Sequence, residues 1–261
     1  MIKKVFISSF KYDINMSYLA RYNIIIKNLT SVIKENTMTM EDDIDMAEKF
    51  DFKKEYKDLY LPKEIPQLIQ VPAMNFICVN GAGDPNSSEY QKAVSILYGL
   101  TFTIKMSKMS GSQPEGYFEY VVPPLEGLWW YEDGTFNFLK RDNWLWTSMI
   151  RQPDFVTTEV FEWAVHICKK KKPELNVDLA RFETFEEGLC VQMLHKGPYA
   201  TEPQTVEIMK AYIERNDLLD ETGLLRKHHE IYLQDPRKTA PDRLKTVLRH
   251  PVKKISSEEN L

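Results

Sequence analysis

The sequence predicts an α+β protein: duplicated βαββ units whose antiparallel sheets are related by a pseudo-twofold axis, with a ligand cleft between them. Three observations carry this. The order strand, helix, strand, strand can be read twice along the chain. Both helices follow a short apolar run closed by glycine, in "NFICVNGAG" and "GLCVQMLHKGPYA". Two such units cannot each bury a sheet alone, so they are expected to pack together with helices on one sheet face and a cleft on the other.

The elements follow in order. The apolar run from Asn75 ends at Gly81 and Gly83, a strand and turn; "NGAGDP" lacks the spacing of a nucleotide-binding loop. A helix follows with Asn86 as N-cap and an apolar face of Ala93, Val94, Leu97, Tyr98, Thr101 and Phe102. "YFEYVVPPLEGLWWYEDGTFNFLK" reads as strands bounded by Pro-Pro and by the hairpin signal Asp133-Gly134. A packing helix carries Val156, Val160, Trp163, Ala164 and Ile167 and ends before Pro173. In the second half, Thr201 and Gln204 form a capping box with Pro203 in the first turn. That helix presents Val206, Ile208, Met209, Tyr212 and Ile213. The strands "HHEIYLQDP" and "LKTVLRHPV" close the chain. Aligned by hand, "YFEYVVPP" falls on "HHEIYLQDP", with Glu119 opposite Glu230.

Composition bounds the function. With 261 residues, 43% hydrophobic and 28% charged, the chain is long enough to bury a real core. A net charge of −4 gives no general attraction to nucleic acid, and no direct nucleic-acid binding is expected. The run Lys169 to Lys172 is read as the basic end of a helix. Three widely spaced cysteines suggest neither disulfides nor a zinc site, the five histidines show no ligand spacing, and no cofactor or metal is called for. No apolar stretch is long enough to span a bilayer, no signal peptide is legible, and a cytoplasmic location is expected. Residues 1–50 differ in composition and are read as an N-terminal extension, with Met46 a candidate natural start. The domain proper is placed at 51–254, with a tail at 255–261.

Strand alternation puts His228, Glu230 and Tyr232 on one face of the closing hairpin and His229, Ile231 and Leu233 on the other. The apolar second set suits the helix-covered core, which assigns Glu230 and Tyr232 to the cleft. A carboxylate there is either an ion-paired surface group or a ligand-facing one. Trp129, Trp130, Tyr120, Trp146 and Phe185 are candidate ligand-binding aromatics, although each singly would also serve as core. Glu119 reads as an edge-strand charge.

The duplicated order, the ending "HHEIYLQDPRKTAPDRLKTVLRHPV" and the opening "KKEYKDLYLP" resemble the GyrI-like small-molecule-binding domain family over about residues 51–254. The family includes effector domains of drug-sensing transcription regulators and stand-alone cyclopropyl hydrolases; this chain is similar to the stand-alone type. The resemblance implies binding of flat, hydrophobic or cationic compounds by aromatic rings and a central acid, which falls on Glu230. A hydrolase would then use Glu230 to activate water, with a phenol or indole such as Tyr232 bonding a substrate carbonyl. The alternatives are a non-catalytic sensor or scavenger, and a module that binds a protein partner such as gyrase. The 1–50 extension and the aromatic insertion around residues 125–150 depart from simpler members.

Overall fold

The computed structural model describes residues 49–131, 143–223 and 225–255. Fourteen elements are used below. They are β1 (Phe50–Asp51), α1 (Phe52–Glu55), α2 (Lys57–Tyr60), β2 (Gln67–Ala82), α3 (Ser88–Lys105), β3 (Tyr120–Val121) and β4 (Leu125–Trp130), then β5 (Leu145–Arg151), α4 (Thr158–Lys171), β6 (Ala180–Lys196), α5 (Glu202–Arg215), β7 (Leu218–Asp220), β8 (His228–Tyr232) and β9 (Lys245–Lys254). The chain is thus α+β, as predicted. The Asp133-Gly134 turn lies outside the described residues, as do residues 1–48 and most of the tail.

Six strands pair in the order β6, β2, β5, β4, β8, β9, and β9 pairs again with β6, so the ladder closes into a ring. Every pairing in the ring is antiparallel. Closure removes the exposed edges that an open sheet would present. One buried cluster takes Phe76, Met149, Leu128, Ile231, Val247 and Cys190 from all six strands, so it is the ring interior; Phe52, Leu59, Tyr60 and Tyr120 close one end of it. A second cluster lies outside, where α3 and α4 cover β2, β4 and β5. A third seats α5 on β6 and β9. Each fully buried Leu or Ile in these clusters contributes roughly 2 kcal/mol relative to exposure.

The helices sit where the apolar period puts them, rotated slightly from expectation. On α3 the buried set includes Tyr90, Ile96, Leu100 and Ile104, while Phe102 is exposed. On α5, Val206, Met209 and Ile213 are buried and Ile208 is exposed. The α3 cap is Ser87, whose hydroxyl accepts from the Tyr90 N–H, rather than Asn86. Thr201 does not act as a side-chain cap for α5; its hydroxyl donates to the Pro198 carbonyl at 2.8 Å, so the expected capping box does not form. On α4 only Ala164 and Cys168 are fully buried, with Val160 and Trp163 packed at the margin. All three cysteines are buried free thiols. Among the described residues, no helix is long and apolar enough to cross a membrane.

In the ladder, Glu230 of β8 pairs with Gly127 of β4. Glu119 precedes β3, a two-residue strand paired in parallel with β1, and makes an ion pair with Lys108 at 2.5 Å.

Candidate functional site

β8 alternates as its sequence requires: His228, Glu230 and Tyr232 point to one face, His229 and Ile231 to the other. The assignment of those faces is the reverse of the expectation. Ile231 faces the ring interior, where Phe52 and Tyr60 supply the apolar cover. Tyr232 packs in the outer cluster beneath α3, so Glu230 lies on the helix-covered face. Apolar Ile231 and Leu233 suggested helix contact, but a closed ring offers a second apolar environment on the opposite side.

Glu230 is 5% exposed and both its oxygens are held. The Tyr232 hydroxyl donates to Oε2 at 2.6 Å, and His228 Nε2 lies 3.1 Å from Oε1. The Trp129 indole N–H donates to the Tyr232 hydroxyl oxygen at 3.1 Å. Gly127 makes this approach feasible: a Cβ there would stand 2.7 Å from Trp129 Nε1 and 3.2 Å from the Tyr232 hydroxyl. Burial, then the Glu230 charge, raises the Tyr232 hydroxyl well above the usual phenol range, which keeps it a proton donor.

The two helix-entry segments bring aromatic rings over this pair. Tyr90, in the first turn of α3, stacks on Trp129 with centroids 5.6 Å apart and meets Trp146 edge-on at 5.0 Å. Tyr199, just before α5, meets Tyr232 edge-on at 5.8 Å. The turn into α3 depends on Gly83, whose φ of +91° lies in the left-handed region that favours glycine. Neither tyrosine was singled out in the sequence. The available signal was position, because a residue in the first turn after a strand–glycine turn comes back over that strand.

The predicted aromatics therefore divide. Trp129 and Trp146 share the face of Glu230 and Tyr232. The Trp146 indole N–H is buried and has no hydrogen-bond partner among the described residues. Trp130 points to the other face, where Lys227 sits over its ring at 4.6 Å. Tyr120 is fully buried near Phe52 and Phe155, in the interior cluster rather than the one that Tyr232 joins. Phe185 lines a separate cavity of about 300 Å³ with Leu128, Arg226 and Lys227. These three do not join the Glu230 site.

A second polar network lies on the interior face and was missed entirely. His229 bridges Glu126 and Glu187, each at 3.0 Å, and Arg249 reaches Glu187 at 3.3 Å and Gln192 at 2.9 Å. The Tyr60 hydroxyl donates to Glu126 at 3.2 Å. Burial alone would lower His229, but Glu187 and Glu126 outweigh it and raise the imidazole to about 9. Burial would raise Glu187, yet His229 and Arg249 bring it down to about 2. This is a charge cluster inside the ring, and its Glu187 also lines the cavity beside Phe185.

The chain belongs to the GyrI-like small molecule binding domain family, whose model matches residues 65–253. It is similar to the solved structure of an uncharacterized conserved protein from Listeria innocua, at 55% identity and a TM-score of 0.76, covering 78% of this chain and all of that one. Two structures described as hydrolases from Listeria innocua are similar at 52% and 53% identity, with TM-scores of 0.73 and 0.74, covering 78% and 79% of this chain and all of each of theirs. No curated protein matches the chain.

Proposed function

We propose that the protein binds planar, hydrophobic or cationic small molecules at the Glu230 site and hydrolyses those that carry a strained cyclopropane. The observation that carries this reading is the carboxylate of Glu230, with Tyr232 on one oxygen and His228 on the other, beneath the rings of Tyr90, Trp129 and Tyr199. A buried negative charge beside aromatic faces attracts flat cations. The same carboxylate is a general base once a water reaches it. The Listeria relatives described as hydrolases, above half identical, support the catalytic version.

In the reaction, water attacks the ring CH2 of a cyclopropane conjugated to a carbonyl. The ring C–C bond breaks and its electron pair arrives on the carbonyl oxygen. Glu230 takes the proton that water loses, and the carbonyl oxygen gains one, so the net change is addition of one water. The Trp146 indole N–H is a donor on this face for the developing oxyanion. Because Glu230 is so little exposed, a ligand reaches it only by parting the rings above.

The site falls where two halves meet. We read β2–α3–β4–β5 and β6–α5–β8–β9 as a duplicated βαββ unit about a pseudo-twofold axis. Matching pairings support this: β2 with β5 as β6 with β9, β4 with β5 as β8 with β9, and β2 with β6 and β4 with β8 across the halves. Residues 1–50 are proposed as an N-terminal extension and 51–254 as the domain proper. The test is incubation of a duocarmycin-type cyclopropane with the protein in oxygen-18 water, read by mass spectrometry. Labelled ring-opened product formed faster than the background supports the hydrolase. Binding without product leaves a sensor or scavenger.

A further inference from the structure

Glu230 is one end of a chain of hydrogen bonds that leaves the site away from Tyr232. His228 Nε2 is 3.1 Å from Glu230 Oε1, and His228 Nδ1 is 3.0 Å from His250 Nε2. His250 Nδ1 is 2.9 Å from Asp220 Oδ2. The strands dictate the line: His228 and Glu230 alternate on β8, His250 stands on neighbouring β9, and Asp220 pairs with Val252 from β7 at the end of the sheet. Both histidines are buried, whereas the Asp220 side chain is 27% exposed.

We propose that His228, His250 and Asp220 form a relay that carries the proton taken up by Glu230 out to solvent and so resets the base; this rests on the hydrolase reading. Two proton arrangements satisfy every bond in the chain. In one, Glu230 is protonated and donates to His228 Nε2, His228 Nδ1–H donates to neutral His250, and His250 Nδ1–H donates to Asp220. In the other, two protons have each moved one bond along. Glu230 is then ionised, His228 Nε2–H donates to it, and His250 is an imidazolium paired with the Asp220 carboxylate. Passage between them moves one positive charge from the site to the sheet end, with no group left unbonded.

The charges around the chain suit this direction. Burial, opposed by Glu230, lowers His228, so it passes a proton without holding one. Burial would raise Asp220, but His250 holds it down to about 2, an anion ready to stabilise the imidazolium. Acting on Glu230 from the other elements are Tyr90 of α3, Tyr199 just before α5 and His195 of β6, while Glu202 at the start of α5 acts on Tyr199 and Tyr232. His229 also acts on His228 from the opposite face.

Nitrogen-15 NMR of the histidine rings in the full chain tests the relay without requiring turnover. The relay predicts that the His228 ring proton sits on Nε2 in one arrangement and on Nδ1 in the other, and that Asp220→Asn, which removes the anion that stabilises the His250 imidazolium, shifts the His228 proton toward Nδ1 at a fixed pH. A His228 tautomer that is the same in wild type and Asp220→Asn overturns the relay. With the cyclopropane substrate, Asp220→Asn and His250→Gln should lower kcat about tenfold at unchanged KM and displace the pH profile. If the wild type turns over and both variants match it, the relay is refuted and the hydrolase stands. If the wild type shows no turnover, the hydrolase reading falls and the NMR result alone decides the relay.

Discussion

The Tyr232 hydroxyl donates to Glu230 Oε2 at 2.6 Å while it accepts the Trp129 indole N–H, so one phenol both holds the carboxylate and anchors the aromatic floor. Replacing it by Phe leaves a buried carboxylate oxygen and an indole N–H without partners. Hydrogen bonds to charged groups contribute about 1.5–3 kcal/mol. We expect Tyr232→Phe to lower stability by roughly 2 kcal/mol in urea denaturation, and turnover by at least tenfold.

Gly127 faces Glu230 across the β4–β8 ladder and leaves space that Trp129 and Tyr232 occupy. An added methyl displaces the indole, because 2.7 Å to Trp129 Nε1 is closer than any ordinary contact. Overpacking of this kind costs about 1–3 kcal/mol. Gly127→Ala should therefore fold with a lower thermal midpoint, and the tryptophan fluorescence should shift as Trp129 loses its partner. Unchanged midpoint and fluorescence would show that the strands absorb the methyl.

The interior ion cluster sets a pH window for stability. Glu187 stands at about 2 against an ordinary 4.5, so its stabilisation is complete above 4.5 and fades as pH falls toward 2. His229 stands at about 9 against 6.5, so its contribution is complete below 6.5 and fades as pH rises through 9. The gap at His229 corresponds to on the order of 3 kcal/mol, much of it the same attraction that lowers Glu187. Urea midpoints measured across pH should form a plateau between roughly 4.5 and 6.5 and decline on both sides. A midpoint that rises from pH 7 to 9 would contradict this.

Arg249 completes that cluster by contacting Glu187, Gln192 and the Leu59 carbonyl. Removing one partner from a buried ion network costs about 3–5 kcal/mol. Arg249→Met should lose stability on that scale while leaving the Glu230 face assembled, visible as an unchanged near-ultraviolet signal from Trp129 and Trp146 below the unfolding transition.

What the sequence exposes is whatever one element carries by itself. The period of α3 and α5, the alternation of β8 and the place of Glu230 on it are local, and all were legible. The cluster of Glu126, Glu187, His229 and Arg249 was not, because its four members lie on four strands that only ring closure brings together. Ring closure also explains the reversed faces: Ile231 found its apolar environment inside the ring instead of beneath a helix. The cross-strand pairing of Glu230 with Gly127 was not legible either, because Gly127 has no side chain to advertise the relationship. Trp129 and Trp130, as neighbours, were not both expected to face inward, and alternation on β4 sends them to opposite faces.

The central claim is that the Glu230 carboxylate is the base for water addition. Its most direct test is multiple-turnover conversion of a duocarmycin-type cyclopropane by wild type and Glu230→Gln, with binding followed in parallel by tryptophan quenching. The account predicts that both proteins bind and that only wild type turns over, with the variant reduced at least a hundredfold. Turnover by Glu230→Gln at the wild-type rate would contradict it.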